Sequence, residues 1–314
     1  MKVLLTGGAG FIGSHIAGKL IENGYEVVIV DNMCTGSEER LNRRASFYKV
    51  DVSSDDLGDV MAYEKPDYVI HQAAQIDVQS SLKDPLNDAK TNIMGTINLL
   101  VECQKHGVKK IVYASSAAAY GNPDYLGVDE QHPTNPISFY GVSKYTPEYY
   151  IKLFSGLCKL KYTILRYSNV YGIGQDPKGE GGVISIFMDR IIRGEKPVIF
   201  GDGEQTRDFV YVSDVAAANV KALSNGDNTI CNISNNKQTT INELVETLGL
   251  IAGKEIYPIY KEERDGDIRH SYLDNSLAID CLDWKPQYSL IRGLKETYAY
   301  YLSKNKQHVS LVMQ

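Results

Sequence analysis

Two side chains with acid–base potential, Tyr140 and Lys144, are one helical turn apart in the sequence. The amphipathic pattern of residues 140–159 predicts a helix, and residues four apart lie on the same helix face. A phenol with its ordinary pKa of about 10 is a poor base at pH 7, but a nearby positive charge favours the phenolate. Tyr140 and Lys144 could therefore remove a proton from a substrate hydroxyl.

Ser115 and Ser116 could take part in the same chemistry. They come at the end of a predicted buried strand, 111–115. A serine hydroxyl at that point can hydrogen-bond a reacting hydroxyl and relay its proton. Because each of these short patterns is common by itself, the interpretation depends on the elements that position them.

The first half of the chain alternates short apolar runs with amphipathic stretches. This alternation is typical of the α/β class, and it predicts a doubly wound parallel Rossmann sheet with helices on both faces. Ligands of such sheets bind at the carboxyl ends of the strands, where Ser116 falls. The predicted strands are residues 3–6, 27–31, 47–50, 68–72, 111–115 and 162–167, and the clearest predicted helices are 85–106 and 140–159.

A glycine-rich turn predicts the cofactor. Residues 6–13 read Thr-Gly-Gly-Ala-Gly-Phe-Ile-Gly between the first predicted strand and a helical pattern. Free N–H groups at a helix N-terminus bind pyrophosphate, and glycine lets the backbone approach it. The second strand ends at Asp31, whose carboxylate can accept hydrogen bonds from the adenosine ribose and would repel a 2′-phosphate. The sequence therefore predicts NAD rather than NADP.

Composition limits the other classes of partner. The chain has 314 residues, a formal net charge of −6 and a pI near 5.6, which argue against a nucleic-acid or membrane-binding surface. Its five cysteines are dispersed, with no CxxC and no metal-ligand spacing, as expected of reduced thiols. Glycines interrupt the N-terminal apolar run before a signal sequence can form, so the expected location is cytoplasmic.

The second half predicts a smaller mixed α/β substrate-binding domain. We assign residues 1–171, with returning segments from about 205–232, to the cofactor domain. Residues 172–204 and 233–304 form the predicted cap, and 305–314 a polar tail that frays. Further predicted elements are strands 197–200 and 208–212, and helices 183–193, 240–252 with a Thr240–Glu243 capping box, and 290–303.

Taken together, these motifs resemble the extended short-chain dehydrogenase/reductase superfamily, in particular its NAD-dependent epimerase/dehydratase family. The likeness runs from about residue 1 to residue 300. Besides the glycine turn, Asp31, Ser115-Ser116, Tyr140 and Lys144, it rests on Asp51-Val52, His71-Gln72-Ala73-Ala74, Asn92, Gly95-Thr96, residues 166–172 (Arg-Tyr-Ser-Asn-Val-Tyr-Gly), 207–214 (Arg-Asp-Phe-Val-Tyr-Val-x-Asp) and 264–269 (Arg-x-Gly-Asp-Ile-Arg).

The resemblance implies roles for individual positions. Ser116, Tyr140 and Lys144 would be the catalytic residues. The NAD-binding residues would be Gly7, Gly10, Phe11, Ile12, Gly13, Asp31, Asn32, Asp51, Val52, Gln72, Ala73, Ala74, Asn92, Tyr140, Lys144 and Tyr167. A UDP-sugar would be bound by Ser116, Asn169, Val183, Phe200, Arg207, Arg264, Asp267 and Ser271. The chemistry of arginine supports this independently of the resemblance, because a guanidinium group can donate two parallel hydrogen bonds to the oxygens of a diphosphate.

The residues after Ser116 favour one reaction among relatives. Nucleotide-sugar dehydratases carry an Asp-Glu pair there and decarboxylases usually a glutamate, whereas residues 117–119 are all alanine. Chemistry at a single carbon is therefore predicted: oxidation and re-reduction at C4, which interconverts UDP-Glc and UDP-Gal. A small residue at Ser271 resembles the forms that also accept UDP-GlcNAc and UDP-GalNAc. The alternatives are a UDP-glucuronate 4-epimerase, another dehydratase or decarboxylase, and a silent NAD-binding regulator.

Two positions depart from the family pattern, and two helices are expected to form an interface between protomers. Ser168 replaces an aromatic residue, which enlarges the expected sugar pocket. Pro147 lies inside the catalytic helix and is expected to kink it. By analogy with the family, helices 85–106 and 140–159 are expected to form a homodimer interface.

Overall fold

The central sheet is made of short strands, most of which are apolar and buried on both faces. The computed structural model describes residues 1–178, 182–263 and 268–312. The strands are β1 (Lys2–Thr6), β2 (Glu26–Val30), β3 (Ser46–Tyr48), β4 (Tyr68–His71), β5 (Lys110–Ser116), β6 (Lys161–Tyr167), β7 (Asn169–Tyr171), β8 (Val198–Phe200), β9 (Thr206–Arg207), β10 (Phe209–Tyr211), β11 (Thr229–Ile233), β12 (Thr239–Thr240) and β13 (Ile259–Lys261). Seven of them form one sheet in the order β11-β6-β5-β4-β1-β2-β3, with every neighbouring pair parallel.

Helices connect these strands in the right order for a doubly wound fold. They are α1 (Phe11–Glu22), α2 (Asp56–Glu64), α3 (Val78–Lys83), α4 (Pro85–Ala89), α5 (Gly95–Lys105), α6 (Phe139–Cys158), α7 (Val183–Ile192), α8 (Val212–Ala222), α9 (Ile241–Ala252), α10 (Ser276–Leu282) and α11 (Leu290–Val312). The predicted α/β class with a parallel Rossmann sheet is confirmed.

The alternation of side chains along β1 shows how the two faces are filled. Val3 and Leu5 pack into a core with α1 and α8, whereas Leu4 packs into a second core with α2, α5 and α6. Successive side chains of a strand point to opposite faces, so a continuous apolar run is what a doubly covered strand requires. A third core joins α7, α9 and α11, and three two-stranded pairings (β7 with β10, β9 with β12, β8 with β13) complete the fold. This separate core supports the predicted cap, whose exact bounds stay a prediction.

Most predicted elements are present, and three differ. The predicted helix 85–106 is divided into α4, a π-helical segment (Lys90–Met94) and α5. Several elements are additional to the predicted set, among them the seventh strand of the sheet, β11, and helix α8. Helix α11 extends to Val312, beyond the predicted end of this helix at residue 303. Within the described residues, no helix is both long and apolar enough to cross a membrane.

Candidate active site

The glycine turn between β1 and α1 is closely packed against the loop after β4. Gly7 has φ +69°, and a Cβ there would lie 2.7 Å from the backbone nitrogen of Ala73. A Cβ on Gly13 would lie 2.0 Å from the carbonyl oxygen of Gly7. The first turn of α1 has Gly10 as its N-cap and no side-chain cap. Its N–H groups are thus left for a ligand, as a pyrophosphate site requires.

Replacing Gly13 with alanine is expected to weaken NAD binding by about 10- to 100-fold, because the added methyl group must displace the Gly7 carbonyl and so distort the turn. Titration calorimetry of protein stripped of nucleotide measures this loss. The matched control is Gly18→Ala in the same helix, where an added Cβ meets nothing within 4 Å. The control should bind NAD normally, and equal losses in both variants would contradict the steric argument.

Three polar residues line the side of the turn where the adenosine of a dinucleotide is expected. Asp31 is buried, and its carboxylate accepts hydrogen bonds from the backbone N–H groups of Ala9 (2.9 Å) and Met33 (2.8 Å). Asn32 donates to Asp51 Oδ2 (2.8 Å). Burial opposes ionisation of Asp51, but hydrogen bonds from Ser53 and Asn32 outweigh it and hold the pKa of Asp51 below its ordinary value. These carboxylates are therefore ready acceptors for ribose or adenine donors.

His71 links the end of β4 to the elements around it. Its Nδ1 lies 2.7 Å from Thr6 Oγ1 and its Nε2 lies 2.9 Å from Thr96 Oγ1. Because the Thr96 hydroxyl donates to the carbonyl of Asn92 (2.6 Å), it must accept from His71, which places the proton on Nε2. Complete burial lowers the pKa of His71 to about 3. His71 is therefore a neutral positioning residue.

Tyr167 and Gln72 meet at the carboxyl ends of β6 and β4. The Tyr167 hydroxyl accepts hydrogen bonds from Gln72 Nε2 (3.0 Å) and Asn219 Nδ2 (2.7 Å). Burial raises the pKa of Tyr167 to about 12, so its proton remains available to donate. Asn219 of α8 holds both side chains and was missed from the sequence, since nothing near it marks a site.

The proposed catalytic residues converge at the carboxyl end of β5. Ser116 ends that strand, and its Oγ accepts the N–H of Ala118 (3.2 Å). The N-terminal part of α6, which carries Tyr140, packs against the 117–119 turn that follows Ser116. Burial raises the pKa of Tyr140, while the Ser116 hydroxyl acts in the opposite direction. Burial lowers the pKa of Lys144 to about 8, and its Nζ lies 4.9 Å from the centroid of the Tyr113 ring. The arrangement suits proton transfer, but Tyr140 needs additional positive charge to become a base at neutral pH.

Asn92 connects α6 to the loop after β4. It lies in the π-helical segment, and its Nδ2 contacts Ser143 Oγ (2.8 Å) and the Gln75 carbonyl (2.9 Å). Its Oδ1 accepts from the Gln75 backbone N–H (2.8 Å). The buried carboxylate of Asp88 accepts from Asn92 and Gln75 and raises the pKa of Lys144. π-helical turns often occur at functional sites, and this one turns Asn92 towards α6.

A buried ion pair supports α6 one turn beyond Lys144. Glu148 accepts two hydrogen bonds from Arg166 of β6, to Oε1 (2.9 Å) and Oε2 (2.6 Å), and a third from Ser115 Oγ (2.6 Å). Both ionic side chains are almost fully buried. The ion pair was missed from the sequence because the partners are 18 residues apart on different elements. Helix α6 continues through Pro147 to Cys158.

The residues expected to bind the sugar nucleotide lie around β9. Ser271 N–H donates to the Thr206 carbonyl (3.3 Å), and Arg207 Nη1 donates to the same carbonyl (2.8 Å). Asn169 begins β7 and donates its N–H to the Asp208 carbonyl (2.9 Å). Val183 begins α7 and Phe200 ends β8. Arg264 and Asp267 lie outside the described residues.

A family profile matches the part of the sequence that carries most of these residues. The NAD dependent epimerase/dehydratase family profile covers residues 3–234. The chain belongs to this family. The expected likeness is thus confirmed, and the glycine turn, Asp31 and the Ser116–Tyr140–Lys144 group all fall within the matched part.

Several proteins are similar to this chain over nearly its full length. The UDP-glucose 4-epimerase of Mycolicibacterium smegmatis is 36% identical, over 98% of this chain and 100% of the relative. The crystal structure of Thermotoga maritima UDP-glucose 4-epimerase with UDP-glucose is 47% identical with a TM-score of 0.95, covering 97% of this chain and 100% of that one. The Methanobrevibacter ruminantium UDP-N-acetylglucosamine 4-epimerase, in complex with UDP-N-acetylmuramic acid, is 36% identical with a TM-score of 0.92, covering 96% and 98%.

Proposed function

We propose that this protein is an NAD-dependent 4-epimerase that interconverts UDP-Glc and UDP-Gal. The observation that carries the proposal is the placement of Tyr140 and Lys144, one turn apart on α6, against the carboxyl end of β5, where Ser116 is followed by a short 3₁₀ turn of three alanines, 117–119. The site therefore has one proton-transfer group, and the 117–119 turn adds no second acid or base. It suits the oxidation and re-reduction of one carbon. The relatives named for that reaction, at 36% and 47% identity, support the same assignment.

Tyr140 is the base of the proposed mechanism. It removes the proton of the C4 hydroxyl, with Ser116 bridging the two oxygens, and it returns the proton when the 4-keto sugar is reduced on its other face. NAD, when bound, supplies the chemistry of accepting the C4 hydride and giving it back. The proton and the hydride both return to the sugar, so the reaction has no net redox change.

Lys144 has two proposed tasks. Its ammonium group lies in the buried site and favours the Tyr140 phenolate, and it holds the ribose at the nicotinamide end of the cofactor. The Asp88 and Glu148 carboxylates help to keep Lys144 protonated. Tyr167 would hold the same end of the cofactor. The glycine turn, Asp31, Asn32, Asp51 and Val52 would hold the pyrophosphate and adenosine end.

Incubation with single UDP-sugars tests the proposed reaction. Purified protein is mixed separately with UDP-Glc, UDP-GlcNAc and UDP-GlcA, without added cofactor and then with NAD, and the products are identified by NMR. We expect the C4 epimer of UDP-Glc with no accumulation of NADH. A pentose or a 4-keto-6-deoxy sugar would overturn the single-carbon argument. No reaction with NAD present would favour a silent NAD-binding protein.

We further propose that N-acetylated sugars are substrates, because Ser271 is small and sits next to Arg207 through Thr206. Ser271→Tyr is expected to lower kcat/KM for UDP-GlcNAc by about tenfold or more, since overpacking costs about 1–3 kcal/mol. The same variant should keep most of its activity on UDP-Gal. Ser271→Ala is the control and should retain both activities. A wild-type enzyme inactive on UDP-GlcNAc and UDP-GalNAc would contradict the proposal.

We also propose a homodimer formed through α6 and the helices beside it. Apolar side chains are exposed on these helices, namely Leu153 and Leu157 (83% exposed) on α6, Leu86 (82%) on α4 and Met94 in the π-helical segment. Exposed apolar patches of this kind mark interaction surfaces. The double substitution Leu153→Glu with Leu157→Glu is expected to give monomers in light scattering. Leu250→Glu on α9, equally exposed at 84%, is the control and should remain dimeric.

A cytoplasmic location is the remaining proposal. The described cysteines are all free thiols, as expected in a reducing compartment. Fractionation of source cells with antibody detection tests the location. Recovery of the protein outside the cytoplasmic fraction would contradict it.

A further inference from the structure

Two cysteines from distant parts of the chain meet beside the central sheet. Cys231 is buried in the edge strand β11, and Cys281 is half-buried in α10, 50 residues later. Their Sγ atoms are 3.1 Å apart. Cys34 is exposed and Cys103 is buried, while the Cys158 thiol contacts the Phe154 carbonyl in its own helix. The 231–281 pair is therefore placed for a reaction between its two sulfurs.

We propose that Cys231 and Cys281 form an intramolecular disulfide when the protein meets a hydroperoxide. An S–S bond of about 2.05 Å needs the two sulfurs to approach by about 1 Å, which a rotation of two short side chains can supply. The proposal is independent of the catalytic assignment, because neither thiol belongs to the proposed NAD or UDP-sugar site.

The order of attack follows from the surroundings of the two thiols. Cys281 is the more accessible, so its thiolate attacks the terminal oxygen of the hydroperoxide and becomes a sulfenic acid, releasing an alcohol or water. Burial raises the pKa of Cys231 and keeps it a thiol in the resting protein. Its sulfur then attacks the sulfenic sulfur, which releases the oxygen as water. The two thiols lose two electrons, and the peroxide bond is reduced.

The disulfide would link strand β11 covalently to helix α10. Asn232, next to Cys231, donates from Nδ2 to the carbonyls of Val128 (2.9 Å) and Asp274 (3.1 Å). Helix α10 directly follows the segment that carries Ser271. A covalent bond across this contact closes a loop of about 50 residues and restricts the unfolded chain. We therefore expect a gain in stability and little change in the geometry of the catalytic residues.

Thiol counting, peptide mapping and thermal unfolding test the disulfide in the full-length protein. The reduced protein is treated with hydrogen peroxide, quenched with catalase, and denatured in an alkylating agent. We expect two fewer free thiols, a Cys231–Cys281 linked peptide in a monomeric band, and a rise in Tm of roughly 5 °C or more. Dithiothreitol should reverse all three changes.

Single variants separate the pair from the other cysteines. Cys231→Ser and Cys281→Ser should each lose the linked peptide and the peroxide-dependent rise in Tm. Cys158→Ser is the matched control, also half-buried, and should keep both. The proposal is overturned if all five thiols survive peroxide treatment. It is equally overturned if Cys281 proceeds to sulfinic acid without a crosslink, or if the only disulfide joins two chains through Cys34.

Discussion

Tyr140→Phe is expected to reduce kcat by about 10²- to 10⁴-fold while leaving the protein folded and able to bind NAD. The substitution removes one oxygen atom from a half-buried ring beside the end of β5, where Ser116 lies. The C4 hydroxyl then has no base to accept its proton, since the adjacent 117–119 turn contains only alanine. Conversion of UDP-Gal measured by NMR or a coupled assay gives kcat, and titration calorimetry gives the NAD affinity.

Tyr149→Phe supplies the comparison within the same helix. The Tyr149 hydroxyl lies 2.7 Å from the Tyr145 hydroxyl of the same helix, and its ring is exposed. This variant should keep kcat within about twofold, as expected of a surface change. If Tyr140→Phe retained most of the wild-type kcat, another group would have to be the base, and the proposed mechanism would be wrong.

Glu148→Gln is expected to lower the free energy of unfolding by about 3–5 kcal/mol. The substitution keeps the size of the side chain but removes its charge, which leaves the Arg166 guanidinium buried without a counter-ion. Arg166 also packs over the Tyr120 ring, with its Cζ 4.7 Å from the centroid, so it cannot turn out to solvent without disturbing that contact. Urea unfolding of the NAD-saturated protein, followed by circular dichroism, measures the loss.

A second substitution distinguishes the uncompensated charge from a simple packing defect. Arg166→Met in the Glu148→Gln background removes the buried cation and should recover much of the lost stability, because a buried ion pair can be replaced by apolar groups at little cost. Glu22→Gln, which removes an exposed ion pair with Lys19 (3.3 Å), should change stability by less than about 1 kcal/mol. Equal losses in Glu22→Gln and Glu148→Gln would show that burial is not what makes the pair important.

Local patterns were sufficient to predict the first six strands of the sheet and the start of the catalytic helix. The capping box of α9 is present as predicted, with Glu243 N–H donating to Thr240 Oγ1 (3.0 Å) and Thr240 N–H donating to the Glu243 carboxylate (2.8 Å). These features depend on residues close together in the sequence. The glycine turn belongs to the same group, because its conformation is determined within eight residues.

The features that were missed depend on partners far away in the chain. Asn219 is 147 residues from Gln72, and only folding shows that they share the Tyr167 hydroxyl. The π-helical segment is another case, since nothing in residues 85–106 distinguishes it from a continuous amphipathic helix. Its cause is the set of contacts from Asn92 to Gln75 and Ser143. β11 is short, and it joins the sheet only by pairing with β6, which lies far away in the sequence.

The hydrogen-bonded row through His71 has a consequence for where protons can travel. Each hydroxyl in the row already has its hydrogen committed, and the direction runs from Thr6 through the imidazole to Thr96. At one end of the row, Thr6 Oγ1 accepts hydrogen bonds from the N–H groups of Gln72 and Ala73. At the other end, the Thr96 hydroxyl donates to the carbonyl of Asn92. Neither end can release or capture a proton. The row therefore cannot carry protons, and in the proposed mechanism the proton that Tyr140 removes from the sugar does not leave through His71.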